Sequence, residues 1–133
     1  MSRIAFKTPE LIDHWHQLHP TLLDVVRWMA SEVWEPIIRQ PYMTITSAIR
    51  DDGIHAWGRA VDVSLRDSRN NSLLPLARRT RAAALINGVW RYGKTNPTTG
   101  NEYEVCYHHK VGDSEWHYHI QVRDETGRRD GWR

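Results

Sequence analysis

Cysteine is nearly missing from this chain: Cys106 is the only one in 133 residues. An internal disulfide is therefore impossible, and a zinc centre built on several thiolates is excluded. Charge of one sign is also scarce. Eighteen basic against sixteen acidic residues leave a net +2 with the histidines neutral, too little to argue for a nucleic-acid partner. The basic residues are scattered, apart from Arg78-Arg79-Thr80-Arg81 and Arg128-Arg129. No apolar run approaches the length of a membrane span, and Met1 to Lys7 does not read as a signal peptide. On this reading the protein is made and left in the cytoplasm. Aromatic and apolar residues, by contrast, are plentiful. Seven tryptophans and 40% hydrophobic residues argue for a folded protein. Residues 1–133 are one domain's length and can bury a core without covalent staples.

Chemistry concentrates between Ser47 and Asp67, where His55, Gly58, Ala60 and Asp62 follow at intervals of three, two and two. Gly58 can make a turn in either hand of φ. Ala60-Val61-Asp62-Val63-Ser64-Leu65 then alternates as a half-buried strand does, with Val61, Val63 and Leu65 on one side and Ala60, Asp62 and Ser64 on the other. A carboxylate set between β-branched apolar residues is poorly placed for solvent and needs a partner. An imidazole and a carboxylate brought together across a glycine turn suit Zn²⁺, which takes nitrogen and oxygen ligands at about 2.0–2.2 Å.

A second stretch, Glu115-Trp116-His117-Tyr118-His119-Ile120-Gln121-Val122, is aromatic and β-branched and predicts a strand. Its period of two sends Glu115, His117 and His119 to one face and Trp116, Tyr118 and Ile120 to the other. One face is suited to chemistry and the other to packing.

Together the two stretches resemble the zinc-dependent D-alanyl-D-alanine carboxypeptidases and L-alanyl-D-glutamate endopeptidases that cut bacterial peptidoglycan, whose fold the hedgehog signalling domain shares. That family reads Ser-x-His-x-x-Gly-x-Ala-x-Asp, followed far downstream by Glu-x-x-His or His-x-His. Here Gly53-Ile54-His55-Ala56-Trp57-Gly58-Arg59-Ala60-Val61-Asp62 matches with Gly53 in place of the serine, and His117-Tyr118-His119 is the downstream match. The resemblance runs from about Thr44 to Val122. It implies an α+β fold with a small antiparallel sheet flanked by helices, of the hedgehog/DD-peptidase type. It implies Zn²⁺ held by His55, Asp62 and His119, with Arg50 holding a carboxylate or carbonyl of a peptidoglycan peptide.

The base is where the chain departs from part of that family. Members with Glu-x-x-His place a glutamate three residues before the last ligand, and Trp116 occupies that position here. Glu115 lies four before and His117 two before, and strand alternation allows both to face the metal. The His-x-His members imply that His117 acts at proton transfer and His119 as ligand, with Glu115 as alternative or joint base. Exchanged roles for the two histidines stay open, as does the bond cut. The small size and lack of a leader resemble phage lysis enzymes and virion-associated wall cutters, monomers delivered by a membrane pore or by the particle. Gly53 and the missing Glu-x-x-His leave a second reading, a zinc-bearing binding or virion structural domain of the same fold.

The rest of the chain predicts scaffold. Thr8-Pro9-Glu10 starts a helix reaching about Leu18, with His14, His16 and His19 as surface or capping residues. Pro20 starts another, to about Trp34, that buries Leu22, Leu23, Val26, Met29, Ala30 and Val33. Tyr42–Ser47 reads as a strand, and a helix runs from about Leu76 to Trp90. Tyr92 to Asn101 is a loop. Glu102 to Val122 is a hairpin around Gly112-Asp113. That turn pairs His108 with His117 and Cys106 with His119, placing Cys106 and His108 on the metal side; a slip of one residue puts Tyr107 and His109 there instead. Arg123 to Arg133 reads as a frayed or partly packed tail.

Overall fold

The computed structural model describes residues 2–49, 58–69, 72–110 and 116–129. Arg50, Gly53, His55, Glu115 and the turn at Gly112-Asp113 lie outside the described residues. The chain opens with strand β1 (Arg3–Phe6), then helices α1 (Glu10–Trp15) and α2 (Pro20–Met29) and a π-helical segment, Ala30–Ile38. Strands β2 (Tyr42–Ser47) and β3 (Ala60–Ser64) follow, then helix α3 (Leu76–Val89). The last four strands are β4 (Trp90–Arg91), β5 (Cys106–Lys110), β6 (Trp116–Gln121) and β7 (Gly127–Arg128). Five strands form one sheet in the order β1-β2-β3-β6-β5, while β4 and β7 make a separate antiparallel pair. Among the described residues no helix is long and apolar enough to cross a membrane.

The α+β class is as expected, but the sheet is neither small nor purely antiparallel. β1 lies parallel to β2, with Arg3 opposite Tyr42 and Phe6 opposite Ile45. The cause is the connection between them: two helices and the π-helical segment carry the chain back across, and parallel neighbours require a crossover of that length. Of the two readings of the segment from Arg123, partial packing holds for its described residues: β7 pairs with β4, and Thr126 Oγ1 donates to the Tyr92 carbonyl at 2.8 Å.

Helix α2 begins where its cap directs. Pro20 stands in the first turn of α2, and the His19 ring caps it, Nδ1 accepting from the Thr21 amide at 3.2 Å. Regular α geometry stops at Met29, five residues before Trp34. Beyond it the turns widen: the segment contains Pro36, which has no amide to donate, and the Arg39 amide reaches back five residues to the Trp34 carbonyl at 2.7 Å. The apolar stripe nonetheless continues through Ala30, Val33, Trp34, Ile37 and Ile38, all buried. It packs against Met43, Ile45, Val61, Val63, Leu65, Tyr118 and Ile120 from one face of the sheet. Trp34 meets Tyr118 edge-on, ring centroids 6.0 Å apart.

Core packing also decides the register of β5 on β6. Cys106 pairs with Ile120, Tyr107 with His119, His108 with Tyr118 and His109 with His117. The pairing of His108 with His117 is thus replaced by the alternative one residue away. Cys106 is buried in the core, its thiol pushed up in pKa by desolvation, and the Asn87 side chain clamps its backbone on both sides at 2.9 Å. His108 points the same way, 4.8 Å from the Trp116 ring and 5.6 Å from Tyr118. Its Nε2 lies 3.1 Å from Nη1 of the buried Arg79. A guanidinium only donates, so His108 accepts and carries its proton on Nδ1. Arg79 also donates from Nε to the Leu74 carbonyl at 2.9 Å and lies over the Trp116 ring, while the Tyr118 hydroxyl donates to the Arg79 carbonyl.

The turn into β3 is equally constrained. Gly58 has φ +67°, and a Cβ there would come within 3.0 Å of the Gln17 carbonyl oxygen. The Gly58 carbonyl accepts from the His19 amide at 2.9 Å, and Asp124 joins Arg59 at 2.9 Å to His19 at 3.2 Å. The approach to Asp62 is therefore tied to the loop between α1 and α2.

Two expectations follow for stability. Gly58→Ala should cost about 1–2 kcal/mol for the left-handed conformation and more for the contact with Gln17. Gly100→Ala, at φ +77° with open space around it, should show the conformational cost alone; denaturant unfolding of both variants checks the order. Burial and the Arg79 charge hold the pKa of His108 below its ordinary 6.5. Below that value the unfolded chain takes up a proton that the folded chain resists, so the contribution is complete above about 6.5 and declines as pH falls towards the folded value. Melting temperature should therefore drop through that window, and His108→Phe should flatten the drop while lowering stability at neutral pH.

Candidate functional site

The sheet face turned away from the helices carries the candidate residues in two rows. In the first, Ser47 of β2, Asp62 of β3, His119 of β6 and Tyr107 of β5 are successive cross-strand partners. In the second, Ser64, His117 and His109 stand side by side. Strand alternation alone brings them together: Val61 and Val63 turn into the core, so Asp62 turns out, and Tyr118 does the same for His117 and His119.

Asp62 is the centre of the group. Although it lies on the outward face, it is only 5% exposed. Its Oδ1 lies 3.3 Å from Nδ1 of His119 and 3.8 Å from Nε2 of His117. His109, from the neighbouring strand, brings its Nε2 to 3.2 Å from Nε2 of His117. Desolvation, followed by the His117 and His119 charges, pushes the pKa of His109 down against the raising effect of Asp62. Behind His119, the Gln121 side chain closes the row: its Oε1 is 3.2 Å from His119 Nε2, and its Nε2 donates to the Glu104 carbonyl at 3.0 Å.

The donor set suits zinc by this measure. Ligand atoms bonded to one tetrahedral zinc at about 2.0–2.2 Å stand roughly 3.3–3.6 Å from one another, close to the His119 to Asp62 separation of 3.3 Å. Those two atoms supply one nitrogen and one oxygen. Among the described residues no group of three or more His, Cys, Asp or Glu side chains is arranged to hold a metal ion. A zinc site here would need a further ligand, and His55, the expected one, lies outside the described residues. Both ends of the connection that carries His55 are described and stand close to Asp62: Ser47 is its cross-strand partner, and Ala60 is two residues before it on β3.

Of the six residues predicted for the site, Asp62, His117 and His119 are brought together, and Arg50, His55 and Glu115 lie outside the described residues. Tyr107 and His109 arrive with the alternative hairpin register, one residue away. Gln121 was missed, and follows from carrying the period of two one step beyond His119. Cys106 and His108 turn into the core side, away from the site. Comparison with protein-family models, curated proteins and solved structures found no match.

Proposed function

We propose that this protein is a zinc-dependent peptidase that hydrolyses peptide bonds in the stem peptides or cross-links of peptidoglycan, on a fold of the hedgehog/DD-peptidase type. The observation that carries the reading is the nearly buried Asp62 carboxylate facing the His119 and His117 rings on one side of a sheet. The spacing of His55, Gly58, Ala60 and Asp62 adds the family's motif to that geometry. His55, Asp62 and His119 would hold the ion. Zinc with three protein ligands supplies an activated water and polarises the scissile carbonyl.

The chain's own groups have the remaining tasks. Amide hydrolysis needs a group that takes up the proton of the attacking water and one that protonates the leaving amine. His117 would take the first of these tasks; its Nε2, 3.8 Å from Asp62 Oδ1 and 3.2 Å from Nε2 of His109, supports that reading. Glu115, two residues earlier in the sequence, would be the alternative or joint base. Arg50 follows β2, and its planar guanidinium suits a carboxylate of the substrate through paired hydrogen bonds. A peptidoglycan stem carries such carboxylates.

The direct test is incubation of the purified protein with purified peptidoglycan. New amino groups should be released, and a chelator should stop the release. Tight stoichiometric zinc with no release under any condition would replace the enzyme by the zinc-bearing binding domain. In variants, His55→Ala or Asp62→Ala should abolish zinc binding in metal analysis. His117→Ala should keep zinc and lose about 10²–10⁴-fold in turnover; full activity would remove that assignment. Arg50→Ala should raise KM with zinc content unchanged, and unaltered kinetics would return Arg50 to a solvated role.

A further inference from the structure

The geometry points to Gln121 as the positioning residue that fixes the proton of His119 on Nε2 and so reserves Nδ1 for the cation beside Asp62. The argument starts from the Glu104 carbonyl, which can only accept. The Gln121 atom 3.0 Å from it must therefore be the amide nitrogen. That leaves Gln121 Oε1, a pure acceptor, 3.2 Å from Nε2 of His119, so Nε2 has to carry the proton. In a neutral ring the lone pair is then on Nδ1, the atom facing Asp62 Oδ1 at 3.3 Å. A lone pair aimed at a carboxylate oxygen is repulsive unless a proton or a cation sits with them. On the zinc reading, the arrangement selects the nitrogen that meets the ion.

Gln121 is itself held firmly. It is 8% exposed, and its backbone amide donates to the Val105 carbonyl at 2.9 Å. Val105 and Cys106 are buried, and Asn87 clamps the Cys106 backbone from α3. The anchor of the His119 tautomer thus runs through Gln121 and the 104–106 segment into the core. Amide and carbonyl partners behind a ligating histidine orient the ring in this way, and their loss costs about 10–100-fold in metal affinity. The assignment of Nδ1 to the ion rests on the zinc reading; the assignment of the proton does not.

The test separates the two. Two-bond proton–nitrogen correlation spectra of the metal-free protein, recorded about two pH units above the ordinary histidine value of roughly 6.5, report which ring nitrogen of His119 is protonated. The parent should show Nε2–H. Gln121→Glu, which keeps an acceptor, should preserve it, and Gln121→Met should give a mixture or Nδ1–H. With zinc alone as probe, chelator competition should show Gln121→Met binding about 10–100-fold more weakly and Gln121→Glu near the parent. A parent ring protonated on Nδ1, or on both nitrogens, overturns the inference, as does an unchanged tautomer in Gln121→Met. Should Gln121→Met fail to fold, the parent and Gln121→Glu decide, and Nδ1–H in either overturns it. A parent that takes up no zinc removes the peptidase reading while the spectra still decide the role of Gln121.

Discussion

A carboxylate with 5% of its surface exposed, set between two valines that point into the core, is the constraint on which the rest of the arrangement depends. Taking an ionised carboxylate out of water without compensation costs several kcal/mol. β3 is a central strand, so Asp62 has no route to solvent by fraying or bending. Its cross-strand neighbours on β6 are histidines, His119 directly opposite at 3.3 Å and His117 on the diagonal at 3.8 Å. With the His119 proton on Nε2, full compensation would need a cation beside them. Placing a charge at the middle of a sheet and surrounding it with imidazoles concentrates negative potential where nitrogen donors already converge. That combination is costly for a scaffold alone and useful for holding a cation.

What keeps those neighbours in place is packing on the opposite face. A slip of one residue between two strands exchanges every side chain between the faces. Tyr118, with its ring against Trp34 and its hydroxyl bonded to the Arg79 carbonyl, makes such a slip of β6 expensive. On β5, Cys106 and the His108–Arg79 contact do the same. The site is therefore specified indirectly, by apolar and aromatic residues that never touch it. Arg79 is a buried cation satisfied by a carbonyl, a neutral imidazole and an aromatic face. It is tolerable only while His108 remains uncharged, which ties the register of the hairpin to one protonation state.

Legibility in the sequence followed the same division. The alternation of Val61, Asp62 and Val63, and of Tyr118 between two histidines, was readable because a half-buried strand writes its two faces into its residue types. Tyr42–Ser47 and the start of α3 at Leu76 were readable for similar local reasons. The hairpin register was not, because Cys106 and Tyr107, like His108 and His109, suit either face, and the choice lies in contacts with α3 and β6. β1 escaped notice since four residues carry too little pattern, and its partner is 39 residues away in sequence, as the pairing of Arg3 with Tyr42 shows. The π-helical turns around Pro36 were invisible as well: an apolar stripe continues through α and π geometry alike.

The hydrogen bonds behind the site show why its missing neighbours matter. His119 was identified by residue type and spacing, but type and spacing leave its two nitrogens equivalent. Only the chain of partners through Gln121 to the Glu104 carbonyl distinguishes them. Gln121 looks unremarkable in the sequence, a polar residue at a strand end. In the fold it is nearly buried, its amide orientation is forced by a carbonyl, and it converts the symmetry of an imidazole into a direction. The chemistry proposed at Asp62 would thus depend on a side chain that a motif match passes over.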